Sequence, residues 1–183
     1  MLETLITSKT RMKLLLKFFL NSRSTSYLRN LATEFGESTN AIRMELNRFN
    51  DAGLLEARLS GNKKIFRANT SHPLYPDIRN ILMKHIGLDS IVGSIVEKLG
   101  DVDRVYVGGD FAKGRDSKII DLILVGDVNQ SYLLGLTEKV EQKIGRKIRY
   151  AVFSREEFRD FHDGRHEELL LLWETRKEKE ANE

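Results

Sequence analysis

Apolar residues return at three- and four-residue intervals in some stretches of this chain and gather in β-branched runs in others. From Ser8, Leu14, Leu15, Phe18 and Phe19 form a helical stripe, with Arg11, Lys13 and Lys17 on other faces. Residues 1–7 before it read as a short strand or an extra turn, and residues 21–25 after it as a polar linker. Leu28, Leu31, Ala32 and Phe35 then repeat at helical spacing until Gly36 breaks the run. Ser38 or Thr39 can cap a further helix, in which Ala41, Ile42, Met44, Leu46 and Phe49 include an apolar face. Asp51-Ala52-Gly53 ends it, since glycine tolerates the left-handed conformation of a helix exit. Two short strands follow, LLEARLS and KKIFRAN, separated by the turn signal Ser60-Gly61-Asn62.

Both prolines, Pro73 and Pro76, fall in the next stretch and mark a domain boundary, because proline disfavours helix at the residue before it. Beyond them the pattern predicts helices over 77–86 and 90–99, with Ile78, Ile81, Leu82, Ile91, Ile95 and Leu99 as their apolar positions. A strand in VDRVYVGGD, a turn in GGDFAKGRDSK and a second strand in IIDLILVGD come next. An amphipathic helix over about 130–144 precedes a third strand, RKIRYAVFS. Ser154-Arg155-Glu156-Glu157 fits a capping box that opens another helix. Residues 169–173 are an apolar patch, followed by a charged tail expected to fray. The pattern is α+β, with domains over 1–75 and 76–183.

Composition changes the picture in one respect. The net charge of +3 conceals an asymmetry: residues 1–75 hold 12 Lys+Arg against 6 Asp+Glu, and the remainder 18 against 21. The first domain is the one suited to a polyanion. Cysteine is absent, which excludes disulfides, thiol catalysis and cysteine-ligated metal. No apolar run approaches the ~20 residues that span a bilayer. The N-terminus has no basic segment leading into an apolar run and a cleavage site, so no export and a cytoplasmic location are expected.

Helix, turn, helix and basic hairpin together resemble the winged helix-turn-helix of prokaryotic transcription regulators, including the ArsR-like group. The resemblance implies that residues 38–50 are the recognition helix and residues 60–64 the wing tip. Ser38, Thr39, Asn40, Arg43, Asn47 and Arg48 are the outward residues of that helix, and Lys63, Lys64 and Arg67 lie on the wing. Arginine suits a guanine edge, asparagine an adenine edge, and serine or threonine a phosphate. Arg23 and Arg29 are expected on the DNA backbone. Since one such helix covers a half-site, a homodimer on double-stranded DNA is implied. Residues 14–20 and 169–173 are the two apolar surfaces available for it.

The stretch GGDFAKGRDSKIIDLILVG resembles the signature of minimal nucleotidyltransferases of the polymerase-β-like superfamily. In that family a Gly-Ser turn holds phosphates, and carboxylates on two neighbouring strands hold divalent metals. The resemblance implies a nucleotidyltransferase-like α/β domain with a small mixed sheet. Gly109, Phe111, Ala112 and Gly114 fit the pattern, and Lys113 stands for its arginine. Asp110 replaces the phosphate-binding serine, however, and Ile119 the first metal carboxylate, leaving Asp121 alone. On the third strand Arg149 and Ala151 flank the position of the last carboxylate. Gly109, Asp110, Lys113 and Asp121 therefore make a remnant pocket with no expected metal or cofactor and no catalytic residue. Asp116 and Asp127, read as loop acids, are poor replacements. Asp121 can equally be a structural carboxylate on the glycine turn, and Ser117 and Lys118 could still meet a small anion.

His162 and His166 sit four apart beside Glu167, a spacing that a metal site can use. Gly164 between them and the want of a third ligand favour a plain helix surface. The expected function is thus sequence-specific DNA binding by a transcriptional regulator. Its second domain would be catalytically inactive and serve dimerisation, ligand sensing or partner binding, with a small-molecule or protein effector. An active minimal nucleotidyltransferase and a protein-interaction adaptor are the alternatives.

Overall fold

The computed structural model of the protein describes residues 2–96, 99–163 and 169–175. The chain is α+β and divides into two compact units. One comprises Met1–Ile86 with Lys113–Asp116, the other Gly87–Ala112 with Ser117–Glu183.

In the first unit α1 (Leu2–Leu5) is a single turn, where a strand or a turn was expected. Ser8 then caps α2 (Lys9–Leu15) by accepting from the Arg11 N–H, and the chain runs on as a π-helical stretch, Leu16–Leu20. Leu14, Phe18, Phe19 and Leu20 are fully buried, and Leu15 and Leu16 nearly so. This segment lies among α2, α5 (Tyr75–Ile86) and the hairpin strand β3 (Lys63–Ala68), and Phe19 stacks on Tyr75 at 5.5 Å. The apolar surplus of residues 14–20 is therefore spent inside the unit and offers no surface to a second copy. Each such side chain contributes about 1.5–3 kcal/mol by leaving water. Lys17, the one cation in the run, meets Glu34 at 2.9 Å.

Helix α3 (Leu28–Phe35) ends at Gly36, the expected break, with a left-handed φ of 63°. Ser38 caps α4 (Thr39–Asp51) by accepting from the Ala41 N–H. The strands β2 (Leu55–Ser60) and β3 pair as an antiparallel hairpin from Leu55↔Ala68 to Ser60↔Lys63. A third strand, β1 (Thr25–Tyr27), pairs with β3 through Thr25↔Arg67 and Tyr27↔Ile65, where a polar linker was expected. Its centre, Ser26, is buried.

The second unit opens with α6 (Leu88–Val96). Its sheet has the order β6-β5-β4-β7, from β4 (Gly100–Val107), β5 (Ile119–Val128), β6 (Lys147–Phe153) and β7 (Leu170–Glu174). β4 and β5 are antiparallel, while β5 and β6 are parallel and joined through α8 (Gln130–Ile144). Residues 169–173, expected as a patch, supply most of an antiparallel strand on the other side of β4. Between β4 and β5 the expected turn contains a short helix, α7 (Gly109–Ala112). Ile120, Leu122 and Leu124 are buried on one face of β5. On the other, Ile123 and Val125 pack with Phe158 of α9 (Arg155–Asp163). Ser154 and Glu157 form the expected capping box, each backbone N–H donating to the other's side chain. Among the described residues no helix is long and apolar enough to cross a membrane.

Candidate functional site

Helix α4 has two unlike faces. Ile42, Leu46 and Phe49 point inward, exposed by 0%, 1% and 6%. Thr39, Asn40, Arg43, Asn47 and Arg48 are exposed, as the expected outward set requires. Asn40, Arg43 and Asn47 have no hydrogen-bond or ionic partner among the described residues. Ser38 is exposed too, but its hydroxyl is already engaged as the cap. Met44 was assigned to the apolar face and belongs to the outer one, with half of its surface (50%) in solvent. Hydrophobicity alone carried that assignment; at one residue per 100° Met44 falls among the polar positions instead.

Sequence pattern gave no sign of the carboxylate beneath this face. Glu45 is buried, and Arg11 of α2 reaches it through Nε at 2.9 Å and Nη2 at 3.2 Å. Arg48 adds a third donor at 3.0 Å, and Ser8 a fourth at 3.4 Å. Burial pushes the Glu45 carboxyl up, but the hydrogen bond and charge of Arg11, with Arg48 and Ser8, outweigh it and hold it below the ordinary value. Arg48 is thus oriented by α4 itself while its side chain stays 56% exposed.

On the hairpin, strand alternation puts Lys63 and Arg67 on one face and Lys64 on the other. The Lys63 ammonium sits 4.6 Å over the Tyr27 ring, and that of Lys64 5.2 Å over Phe66. Arg67 pairs with Glu56 across the hairpin at 2.7 Å. Leu59, opposite Lys64 near the turn, is 80% exposed. Arg23 and Arg29 are exposed.

In the second unit, β5 and β6 place Asp121 directly beside Arg149. One carboxylate oxygen of Asp121 accepts from Nε and Nη2 of that arginine, both at 2.7 Å. The neighbouring strand thus presents a cation to Asp121. Gly109, at φ 60°, lies against the same carboxylate so closely that a Cβ there would collide with it. The Gly108 N–H donates to the Asp121 carbonyl at 2.9 Å, which fixes the glycine turn on the strand. Asp110 is half-buried, and Lys113 and Ile119 are exposed. Asp127 is a residue of β5 and not of a loop, and it lies roughly 20 Å along the strand from Asp121. With Asp101, Asp103 and Glu156 it lines an open surface cavity in which Arg155 clamps Asp103 at 2.5 and 2.7 Å. Among the described residues no group of three His, Asp or Glu is placed to hold a metal ion. His166, Glu167 and the side chain of His162 lie outside the described residues. His72 accepts from the Leu74 N–H at 3.2 Å and so shapes the turn before α5.

No family model matches the chain, and no curated protein matches it. Solved structures similar to it in part include the following two. AF1382 from Archaeoglobus fulgidus covers 45% of this chain and 93% of its own at 18% identity, with a TM-score of 0.37. A protein described as a possible transcriptional regulator for arsenical resistance covers 48% of this chain and 90% of its own at 23% identity, with a TM-score of 0.32. Both likenesses are weak.

Proposed function

We propose that this chain is a sequence-specific DNA-binding transcriptional regulator of the cytoplasm. Its first unit is a winged helix-turn-helix, with α4 as recognition helix and the β2–β3 hairpin as wing. The observation that carries this reading is the row Asn40, Arg43 and Asn47, which α4 exposes and to which no described residue offers a partner. Unpartnered donors on a rigid helix are what base edges require. Lys63 and Lys64 on the hairpin suit phosphates.

The second unit is a nucleotidyltransferase-like domain without catalysis, which serves dimerisation, ligand sensing or partner binding. The Asp121–Arg149 pair supports its inactivity, because the arginine compensates the charge that a divalent ion would need. The regulator acts as a homodimer on a two-fold site.

The test is titration of the full-length protein against duplexes selected from fragmented genomic DNA, at stepped salt concentrations. Binding should weaken linearly in log–log form as salt rises, with a slope set by the number of phosphates neutralised. Protein that binds no duplex at low ionic strength overturns the reading. Labelled nucleoside triphosphate with magnesium or manganese should give no transfer to the protein or to lysate acceptors. Transfer that Asp121→Asn abolishes would make the chain an enzyme.

A further inference from the structure

Met44 is the large apolar residue on the outer face of α4, and of its helical neighbours only Ala41 is apolar. Asn40, Asn47 and Arg48 stand three or four residues away, the spacing at which helical side chains are neighbours. The interior of the unit is filled from the opposite side by Ile42, Leu46 and Phe49. Half of the Met44 surface stays in solvent, open to a contact from outside.

A face that carries asparagine and arginine around a single apolar knob matches one feature of the major groove. A T·A pair presents there the C5-methyl of thymine beside hydrogen-bonding atoms, and that methyl is the apolar group the groove displays. Methionine suits such a contact, since its unbranched chain and polarisable sulfur adapt to an irregular surface. Building on the assignment of α4 as recognition helix, we propose that Met44 reads a thymine methyl and makes thymine a preferred base in the recognised site.

Uracil keeps the hydrogen-bonding groups of thymine and lacks only the methyl, so the contact can be deleted from the DNA side. A duplex selected from a random pool by the full-length protein is remade with each thymine replaced in turn by uracil. Kd is then measured for wild type, Met44→Ala and Met44→Gln, with circular dichroism to show that the exposed substitutions keep the fold. At one thymine or more, uracil should weaken wild type about fourfold, the worth of one buried methyl, and leave both variants unchanged. Uracil that weakens wild type and variants alike assigns the methyl to another side chain and overturns the proposal. A scan in which no thymine matters overturns it as well, with the DNA-binding reading intact. Failure to select any duplex instead removes the recognition-helix assignment beneath it.

Discussion

The outer face of α4 and the Asp121–Arg149 pair of the second sheet treat charge in opposite ways. On α4, Arg43 is exposed with no partner among the described residues, and Arg48 is steadied by Glu45 but left largely in water. On the second sheet Asp121 is matched by an arginine in register beside it. Donors left unmatched break no intramolecular contact when they meet a ligand, whereas a matched pair must first be separated. The contrast is the one expected if, as proposed, recognition belongs to the first unit and the second is structural.

The contrast is sharpest within α4 itself. Leu46→Ala should cost about 2–5 kcal/mol, because a fully buried leucine leaves a cavity. Denaturant melts of the first unit's transition would read that loss. Arg43→Ala, three residues earlier, should leave the same melt unchanged. It should cost about 1–3 kcal/mol of affinity for a selected duplex and relax base preference at one position. Lys63→Ala should weaken all duplexes alike and flatten the salt dependence.

A smaller effect concerns the buried acid beneath the face. Glu45 has its carboxyl held below the ordinary value, so its contribution is full above the carboxylate range and is lost as pH falls through the lowered value. Stability of the first unit should therefore decline on acidification. Glu45→Gln should flatten that dependence and lower stability at neutral pH by about 1–2 kcal/mol. A melt of the variant with an unchanged acid limb would show that Arg11 and Arg48 do not hold the carboxylate in solution.

The smallest effect belongs to the second sheet. Arg149 is 68% exposed at its side chain, so a double-mutant cycle with Asp121→Asn should give a coupling below about 1 kcal/mol. DNA binding should not change in either single variant. A coupling several times larger, or a variant that gains nucleotide transfer, would break the division of roles drawn between the two regions.

What sequence pattern revealed was what neighbours along the chain decide. The α3–Gly36–α4 turn, the hairpin about Ser60-Gly61-Asn62, the α8 helix and the Ser154–Glu157 box rest on residues a few positions apart. What it missed rests on distant partners. Thr25–Tyr27 is three residues long with a polar start, and becomes a strand only because Arg67 and Ile65 lie opposite. Residues 169–173 are apolar without alternation, and their pairing with Val105 and Val107 cannot be seen locally. The same holds for the candidate site. Arg43 and Asn47 follow from helical phase, but the burial of Glu45 depends on Arg11, which α2 brings to it from 34 positions away. Met44 was misplaced by its hydrophobicity.

The far pairing of β7 has a consequence for the order in which the protein is made. Every strand of the first unit lies between Thr25 and Ala68, so its sheet can close while the rest of the chain is still being translated. The second sheet waits for Leu170–Glu174 to meet the far side of β4. At a synthesis rate of about 5–20 residues per second, that wait lasts seconds. During it β4 carries an open edge with Val105 and Val107 in it, the kind of edge that recruits strands from other chains. Nascent protein stalled short of Leu170 should therefore carry a finished first unit and a second one prone to aggregate, and a chaperone would find its substrate there.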